Sequence, residues 1–264
     1  MQSVALEFSR IGFLNMLAFR LRYYTGIFTY LINVTVYYFI WRAIFSVDPH
    51  FAGFTLPQMI TYVAVGWIIR SMYFNNLDTE MAEDILDGRM TMTMVKPVSV
   101  QMSYVARSMG ESAFRLLLLT VPAAVAIGLI FPVLPPASAF HFAAFLVSLA
   151  GSVLLVAGLN FIVGACAVRL TSILGLLRAK FWVQDLLSGV LVPLTLLPPP
   201  LRAVSRWLPF EHIGFTPLMI YLGKISWAGV AWALTAEAVW IAFLLWFGAW
   251  FWRVMSRKIT VHGG

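Results

Sequence analysis

Six long stretches of the 264-residue sequence are almost entirely apolar, and this feature limits the fold more than any other. A helix needs about 20 mostly apolar residues to cross about 30 Å of hydrocarbon. The predicted spans are residues 26–45, 57–76, 113–131, 140–168, 181–197 and 227–252. Because 61% of the residues are hydrophobic and only 11% are charged, a soluble enzyme, a disordered chain and a disulfide scaffold are excluded. We therefore predict an all-α polytopic membrane protein.

The spans are predicted to form one transmembrane domain over residues 1–264, with three segments outside them. Residues 1–25 are predicted to form an interfacial helix, since apolar and charged residues separate onto different sides. Residues 77–112 form a polar segment between the second and third spans. Residues 198–226 are rich in proline and aromatic residues and are predicted to form a pair of re-entrant helices.

Two short helices are expected within residues 198–226. The first covers residues 201–208 and is stopped by Pro209. The second begins with Thr216 as its N-cap and Pro217 at its first position, and Gly223 ends it.

The excess of basic residues indicates membrane topology rather than nucleic-acid binding. Six spans place both termini on one side, and thirteen of the 18 Lys and Arg residues fall on that side. These thirteen are Arg10, Arg20, Arg22, Arg89, Lys96, Arg107, Arg115, Arg169, Arg178, Lys180, Arg253, Arg257 and Lys258. The positive-inside rule then places both termini in the cytoplasm. We expect the protein in the inner (plasma) membrane of a bacterium, in contact with lipid and without a nucleic-acid partner.

Three ionisable residues lie within or near predicted spans. Glu237 falls near the middle of the sixth span, where an acidic side chain costs about 2.5–3.5 kcal/mol. Asp185 lies close to the start of the fifth span, and Arg70 lies near the inner end of the second. Each is compatible with a substrate or proton pathway and with a structural polar contact between helices, and the sequence leaves both interpretations open.

No motif for catalysis by the chain itself is present. The sequence lacks a phosphate-binding G-x-x-x-x-G-K-[ST] loop and a G-x-S-x-G nucleophile elbow. The four histidines share no metal-ligating spacing, so no metal site is expected. We therefore predict no enzymatic activity and no cofactor in this chain.

Acidic residues are concentrated in the predicted cytoplasmic segment. Five of the 11 acids fall within ten positions, as Asp78, Glu80, Glu83, Asp84 and Asp87. They are predicted to lie on a short helix with Ile85 on its apolar edge. Gly88 is expected to end this helix in the left-handed conformation, and Lys96-Pro97 prevents a helix from continuing there.

These features together resemble a known family. The order is an N-terminal interfacial helix, six spans, an acidic cytoplasmic helix after the second span and a re-entrant pair before the last. With the segments Ile-Leu-Asp-Gly-Arg at 85–89, Met-Val-Lys-Pro-Val at 94–98 and Trp-Leu-Pro-Phe at 207–210, this resembles the permease subunits of type-2 ABC exporters. The resemblance is to the branch with the cytoplasmic Lys-Pro-Val segment, and it covers nearly the whole chain.

The resemblance implies several roles. The acidic helix is expected to couple the chain to a separate ATPase subunit, which binds ATP and Mg²⁺. The coupling residues would be Glu80, Glu83, Asp84, Ile85, Asp87 and Gly88. Arg70, Trp182 and Asp185 would lie near the translocation path, to which Glu237 is added for its position in the sixth span. The external gate would comprise Trp207, Phe210, Phe215 and Tyr221. A second permease, identical or related, is expected to complete the path.

The leading hypothesis is an ATP-driven exporter permease that works by alternating access. One alternative is a secondary transporter with Glu237 as its proton carrier. Another is a membrane assembly factor that transports nothing. The sequence does not identify the substrate, and the direction of transport follows only from the resemblance.

Overall fold

The computed structural model describes residues 2–17, 20–73, 75–170 and 172–257, so Lys258 of the predicted cytoplasmic group lies outside them. The described residues form α-helices joined by turns and short 3₁₀ segments, which confirms the all-α prediction. The helices are α1 (Gln2–Leu17), α2 (Arg20–Phe45), α3 (Leu56–Tyr73), α4 (Leu77–Leu86), α5 (Met90–Met94), α6 (Val100–Arg115), α7 (Val121–Ile130), α8 (Ala139–Ala165), α9 (Leu174–Ser188), α10 (Pro199–Arg206), α11 (Phe215–Tyr221) and α12 (Trp227–Ser256).

Among the described residues, four helical stretches are long and apolar enough to cross a membrane. They are Thr25–Phe45, Val100–Ile130, Ala139–Val168 and Trp227–Ser256. These correspond to the first, third, fourth and sixth predicted spans and mark the chain as a membrane protein. The second and fifth predicted spans fall on the shorter helices α3 and α9, of 18 and 15 residues.

The third predicted span is part of a helix that begins earlier than predicted. It starts at Val100, where the Ser99 side chain caps it by accepting from the amide of Met102 (3.3 Å). The helix continues through a π-helical turn at Leu116–Thr120 into α7. Pro122 lies two residues after this turn and cannot donate to a carbonyl one turn back, which accounts for the local change of hydrogen bonding. The end of the predicted polar segment 77–112 is therefore part of a long helix.

The fifth predicted span, residues 181–197, is α-helical only in its first half. Helix α9 starts at Leu174 and ends at Ser188, because Gly189 adopts a left-handed conformation (φ 67°). The chain that follows packs on α3, where the Tyr62 hydroxyl donates to the carbonyl of Gly189. A Cβ on Gly66 would overlap the carbonyl of Val190, so this glycine allows the two backbones to touch. The irregular backbone is thus shielded by protein.

The external segment forms two short helices, α10 and α11, with a 3₁₀ turn at Pro209–His212 between them. The predicted N-cap of the second helix is wrong. Gly214 occupies the cap position, and the Thr216 hydroxyl instead meets Nδ1 of buried His212 at 3.2 Å. Gly223 ends this helix with a positive φ of 65°, as predicted.

Helix α1 lies directly on α6. A Cβ on Gly110 would overlap the carbonyl of Ser9, and one on Gly12 would overlap the carbonyl of Arg107. The Ser9 hydroxyl also donates to the carbonyl of Ala106 at 2.8 Å. Two glycines therefore allow α1 and α6 to cross with their backbones in contact.

Helix α8 is the central packing element, and glycines along it allow neighbouring helices to approach closely. A Cβ on Gly158 would lie 3.1 Å from Cβ of Leu244 on α12. One on Gly164 would lie 2.9 Å from Cβ of Met81 on α4. Two glycines of α8 thus allow both α4 and α12 to pack closely against it.

We predict that Gly110→Ala destabilises the protein by about 1–3 kcal/mol, because the added methyl group must push α1 away from α6. Gly128→Ala is the matched control, since nothing lies within 4 Å of a Cβ built there. Equilibrium unfolding of the purified chain in a denaturing detergent would measure both. Equal stability of the two variants would contradict the close crossing.

Candidate functional site

Most of the acidic side chains of helix α4 form contacts with other residues of the same chain. Glu80 pairs with Arg107 of α6, with 3.0 Å between Oε2 and Nη2. Asp84 pairs with Arg89 (2.9 Å) and accepts a hydrogen bond from the hydroxyl of Tyr104 (2.6 Å). Burial raises the pKa of Glu80, and the facing Arg107 guanidinium opposes the rise. Both carboxylates therefore help to fasten α4 to α6.

A different set of residues is exposed at the tip of the acidic helix and on the segment that follows. Glu83 is exposed and forms no ion pair with any described residue. Asp87 is exposed and pairs with Arg89, while Gly88 turns the chain with a φ of 75°. Ile85 is half-buried against α4's own Ala82 and the core beneath it. Beyond the turn, the apolar side chain of Val95 is 85% exposed.

We name the exposed surface around this turn the α4 tip. It comprises Glu83, Leu86, Asp87, Met92 and Val95. Two acids and three large apolar side chains are thus exposed close together along the chain, on either side of the turn at Gly88. An exposed apolar group rimmed by charge is typical of a protein-binding site.

A buried polar network lies behind the start of α4, and sequence reasoning missed it. Asp78 pairs with Lys180 of α9, with 2.7 Å between Oδ2 and Nζ. Lys180 also donates to the side-chain carbonyl of Asn160 on α8 (2.6 Å). The amide of Asn160 donates to Asn75 (2.8 Å), whose amide in turn donates to the Ser108 hydroxyl (2.7 Å). One chain of contacts thus joins α4, α9, α8 and α6.

Asn160 carried the signal that could have revealed this network. It is the one amide side chain in the long apolar run of the fourth predicted span, and it is fully buried. A buried polar group needs partners, so its position alone predicts a polar neighbour on a facing helix. A cavity of about 230 Å³ adjoins the network and is lined by Asn160, Lys180 and Gln184 among others. Oε1 of Gln184 is buried and has no hydrogen-bond partner among the described residues.

A second ion pair links α9 to α3, and it unites two of the predicted path residues. The Arg70 guanidinium donates to the carboxylate of Asp185, and the two side chains are only 10% and 13% exposed. The guanidinium also lies 5.5 Å from the ring centroid of Trp67 and 5.3 Å from that of Phe181. Arg70 of α3 is therefore bound to α9 by its charge and by its contact with an aromatic ring.

Trp182 lies beside this pair but points away from the core. It is 68% exposed. With Asp185 and Tyr37 of α2 it lines an apolar cavity of about 220 Å³. Trp182 and Asp185 thus line one cavity, and Arg70 contacts Asp185 from α3.

Glu237 belongs to a different part of the molecule. It is 2% exposed between α12 and α8, and its Oε2 accepts from the hydroxyl of Ser148 at 2.8 Å. A Cβ on Gly151 would overlap Oε1 of Glu237, which has no hydrogen-bond partner in the part of the chain that the structure describes. The contacts of Glu237 involve neither Arg70 nor Asp185.

The four predicted gate residues lie in two different environments. Trp207 is 82% exposed at the end of α10. Phe210, Phe215 and Tyr221 are half-buried against the main hydrophobic core. Tyr221 additionally donates to the carbonyl of Leu134 at 3.0 Å. Three of the four therefore anchor the external segment to the helices below it.

Comparison with known families agrees with the membrane-protein fold. The sequence profile of a family described as ABC-2 family transporter protein matches residues 31–263. The match covers most of the chain, so this chain belongs to the ABC-2 transporter family. It is a membrane component of an ABC transporter, a kind of subunit that is typically not catalytic by itself and that implies an ATPase partner. No curated protein matches the sequence significantly.

We predict that Lys180→Met lowers the free energy of unfolding by about 3–5 kcal/mol, because it leaves Asp78 as an uncompensated buried charge. Adding Asp78→Asn should recover most of that loss. Arg10→Met is the matched control, because its pair with Glu7 is 67% and 60% exposed and contributes at most about 1 kcal/mol. Detergent-induced unfolding of the four proteins tests this. Equal losses for the two single variants would show that the pair is not buried.

Proposed function

We propose that the chain is the membrane-spanning permease subunit of an ATP-driven exporter in a bacterial inner membrane, with both termini in the cytoplasm. A separate ATPase subunit would bind ATP and Mg²⁺, and a second permease, identical or related, would complete the translocation path. The observation that carries the proposal is the acidic helix α4. It presents an exposed tip on one side and is tied by a buried ion pair to α9 on the other.

Six spans remain our proposal for the topology. Helix α3 has 18 residues, about 27 Å at 1.5 Å per residue, and 13 of them are buried. A helix enclosed by other helices needs less apolar surface than one that faces lipid. Helix α9 and the packed chain after Gly189 would together cross the membrane as the fifth span. The positive-inside distribution then orients the molecule.

The α4 tip is proposed as the docking site for the ATPase. Glu80 and Asp84 were expected to meet the ATPase, but they already have partners on this chain. The proposal therefore moves to the exposed members, with Glu83 and Asp87 supplying charge and Leu86, Met92 and Val95 supplying apolar contact. Apolar side chains at the centre of an interface contribute most of its binding energy.

Movement of the docked helix would pass to α9 through the ion pair between Asp78 and Lys180. Five residues further along α9, Asp185 engages Arg70 of α3. Because both pairs are buried, neither can break without a large cost, so the three helices are expected to move together. This supports alternating access in which α9 and α3 change position when the ATPase closes.

The translocation path is proposed to run along the exposed side of α9, between this permease and the second one. Trp182 and the cavity beside Asp185 would face the path. The external segment with Trp207 would close it on the outside. The position of Glu237 does not support the alternative of a proton carrier, because its side chain is enclosed between two helices. The assembly-factor alternative predicts a complex without substrate-stimulated ATP hydrolysis.

We predict that Val95→Asp weakens association with the ATPase at least about tenfold, since it places a charge within an apolar contact. Val47→Asp is the control, because Val47 is 87% exposed and lies beyond the far end of α2. Co-purification of tagged permease with its ATPase, followed by a binding titration, measures both. Loss of binding in both variants, or in neither, would contradict docking at this tip.

We predict that a photo-crosslinking amino acid at position 182 yields an adduct of about twice the permease mass in membranes, because α9 faces the second permease. The same amino acid at position 246 is the control. Trp246 is 66% exposed on α12, close to the 68% of Trp182. An adduct at position 246 without one at position 182 would mean that α12 forms the contact between permeases.

A further inference from the structure

A polar cavity lies between α1 and the start of the long helix Val100–Ile130. It has a volume of about 270 Å³. Helix α1 contributes Phe8 and Asn15, the segment after α5 contributes Lys96, and α6 contributes Ser103 and Arg107. The cavity is distinct from the α4 tip and from the cavity beside Asp185.

Two cations define the electrostatics of this cavity. Lys96 is exposed and forms no ion pair with a described residue, and its ammonium lies 5.6 Å from the ring centroid of Phe8. Arg107 directs one N–H group to Glu80, which offsets part of its charge. The amide of Asn15 and the hydroxyl of Thr93 add hydrogen-bonding groups. Lys96 therefore supplies most of the net positive charge, and the site favours an anion with several oxygen acceptors.

The cavity also lies at the depth of phospholipid headgroups. The helix Val100–Ile130 has 31 residues and extends about 46 Å, longer than a hydrocarbon core of about 30 Å. Arg107 precedes Ala113, the start of the third predicted span, by about 9 Å along that helix. The headgroup layers add about 10–15 Å in total to the hydrocarbon core, or about 5–7 Å on each side. The backbone of Arg107 therefore lies just outside one of these layers, and its long side chain can reach a phosphate within it.

Helix α1 also carries exposed apolar side chains. Leu6, Ile11 and Leu14 are 70%, 45% and 47% exposed, and Ile11 itself lines the cavity. The same helix thus offers hydrogen-bonding groups for a headgroup and apolar surface for acyl chains, which suits a lipid better than a free ion.

We propose that this cavity binds the phosphate headgroup of an anionic phospholipid from the leaflet on the side of the termini, with its acyl chains against α1. Lys96 and Arg107 contact the phosphate, and Asn15 and Thr93 complete its hydrogen bonds. The site does not depend on the transport function or on the identity of the substrate. Its occupant would fix α1 and the segment after α5 to α6.

The test is native mass spectrometry of the full-length chain in detergent, titrated with dioleoyl phosphatidylglycerol and, separately, with dioleoyl phosphatidylcholine. We expect tighter binding of phosphatidylglycerol, and about fivefold weaker binding after Lys96→Gln, as expected for one cation near an anionic headgroup. Lys96→Arg should keep the affinity. Arg253→Gln is the control, because it removes one exposed positive charge from α12 on the same predicted side.

Asn15→Leu provides a second variant that keeps every charge. Asn15 is exposed on α1, so the change should fill the cavity and weaken lipid binding without unfolding the chain. Equal losses in Lys96→Gln and Arg253→Gln would overturn the site in favour of general charge attraction. Unchanged binding in Asn15→Leu would also overturn it. Displacement of the lipid by millimolar inorganic phosphate would show that the cavity takes free phosphate instead.

Discussion

Two buried ion pairs hold α9, and the rest of the arrangement depends on them. Lys180 joins its first half to Asp78 at the start of α4, and Asp185 joins its second half to Arg70 of α3. Inside a membrane protein an unpaired charge is so unfavourable that each partner fixes the other. Helix α9 makes these polar contacts although its outer side, with Trp182, remains exposed. A helix held on one side and open on the other is well suited to move as part of a unit.

Glycine determines which helices can be joined in this way. Gly164 of α8 lets α4 lie against the transmembrane core, and this closeness places Asp78 within reach of Lys180. Gly66 of α3 similarly admits the backbone after α9, so that a segment without helical hydrogen bonds is covered by protein. A side chain at either position would force the two elements apart and strain the contacts that depend on their approach. The ion pair between Asp78 and Lys180 therefore depends on the close packing that glycine allows.

The longest helices were predictable because their apolar runs exceed the membrane thickness, whereas contacts between distant residues were not. The turn at Gly189 was missed although the Ser188-Gly189 dipeptide is a turn signal, because apolar residues continue on both sides of it. Four of the five clustered acids lie on one short helix, as expected, and Asp87 is its C-cap. Gly88 follows in the left-handed conformation that was predicted. Their partners could not be predicted, because Arg107 and Lys180 reach them only after α6 and α9 have packed. Asn160 was the missed exception, a polar residue whose sequence context already required a partner.

The inward pairing of Glu80 and Asp84 changes how an ATPase would recognise this permease. With those charges neutralised, the α4 tip has fewer free acids than the sequence suggests, and the apolar residues after Gly88 gain importance. Val95 projects from this surface, and the next residue, Lys96, reaches back toward Phe8 of α1. Consecutive side chains thus point to the proposed ATPase and to the proposed lipid site. A phospholipid held by Lys96 would restrict the segment that presents Val95, so membrane composition and ATPase docking would act on the same short piece of backbone.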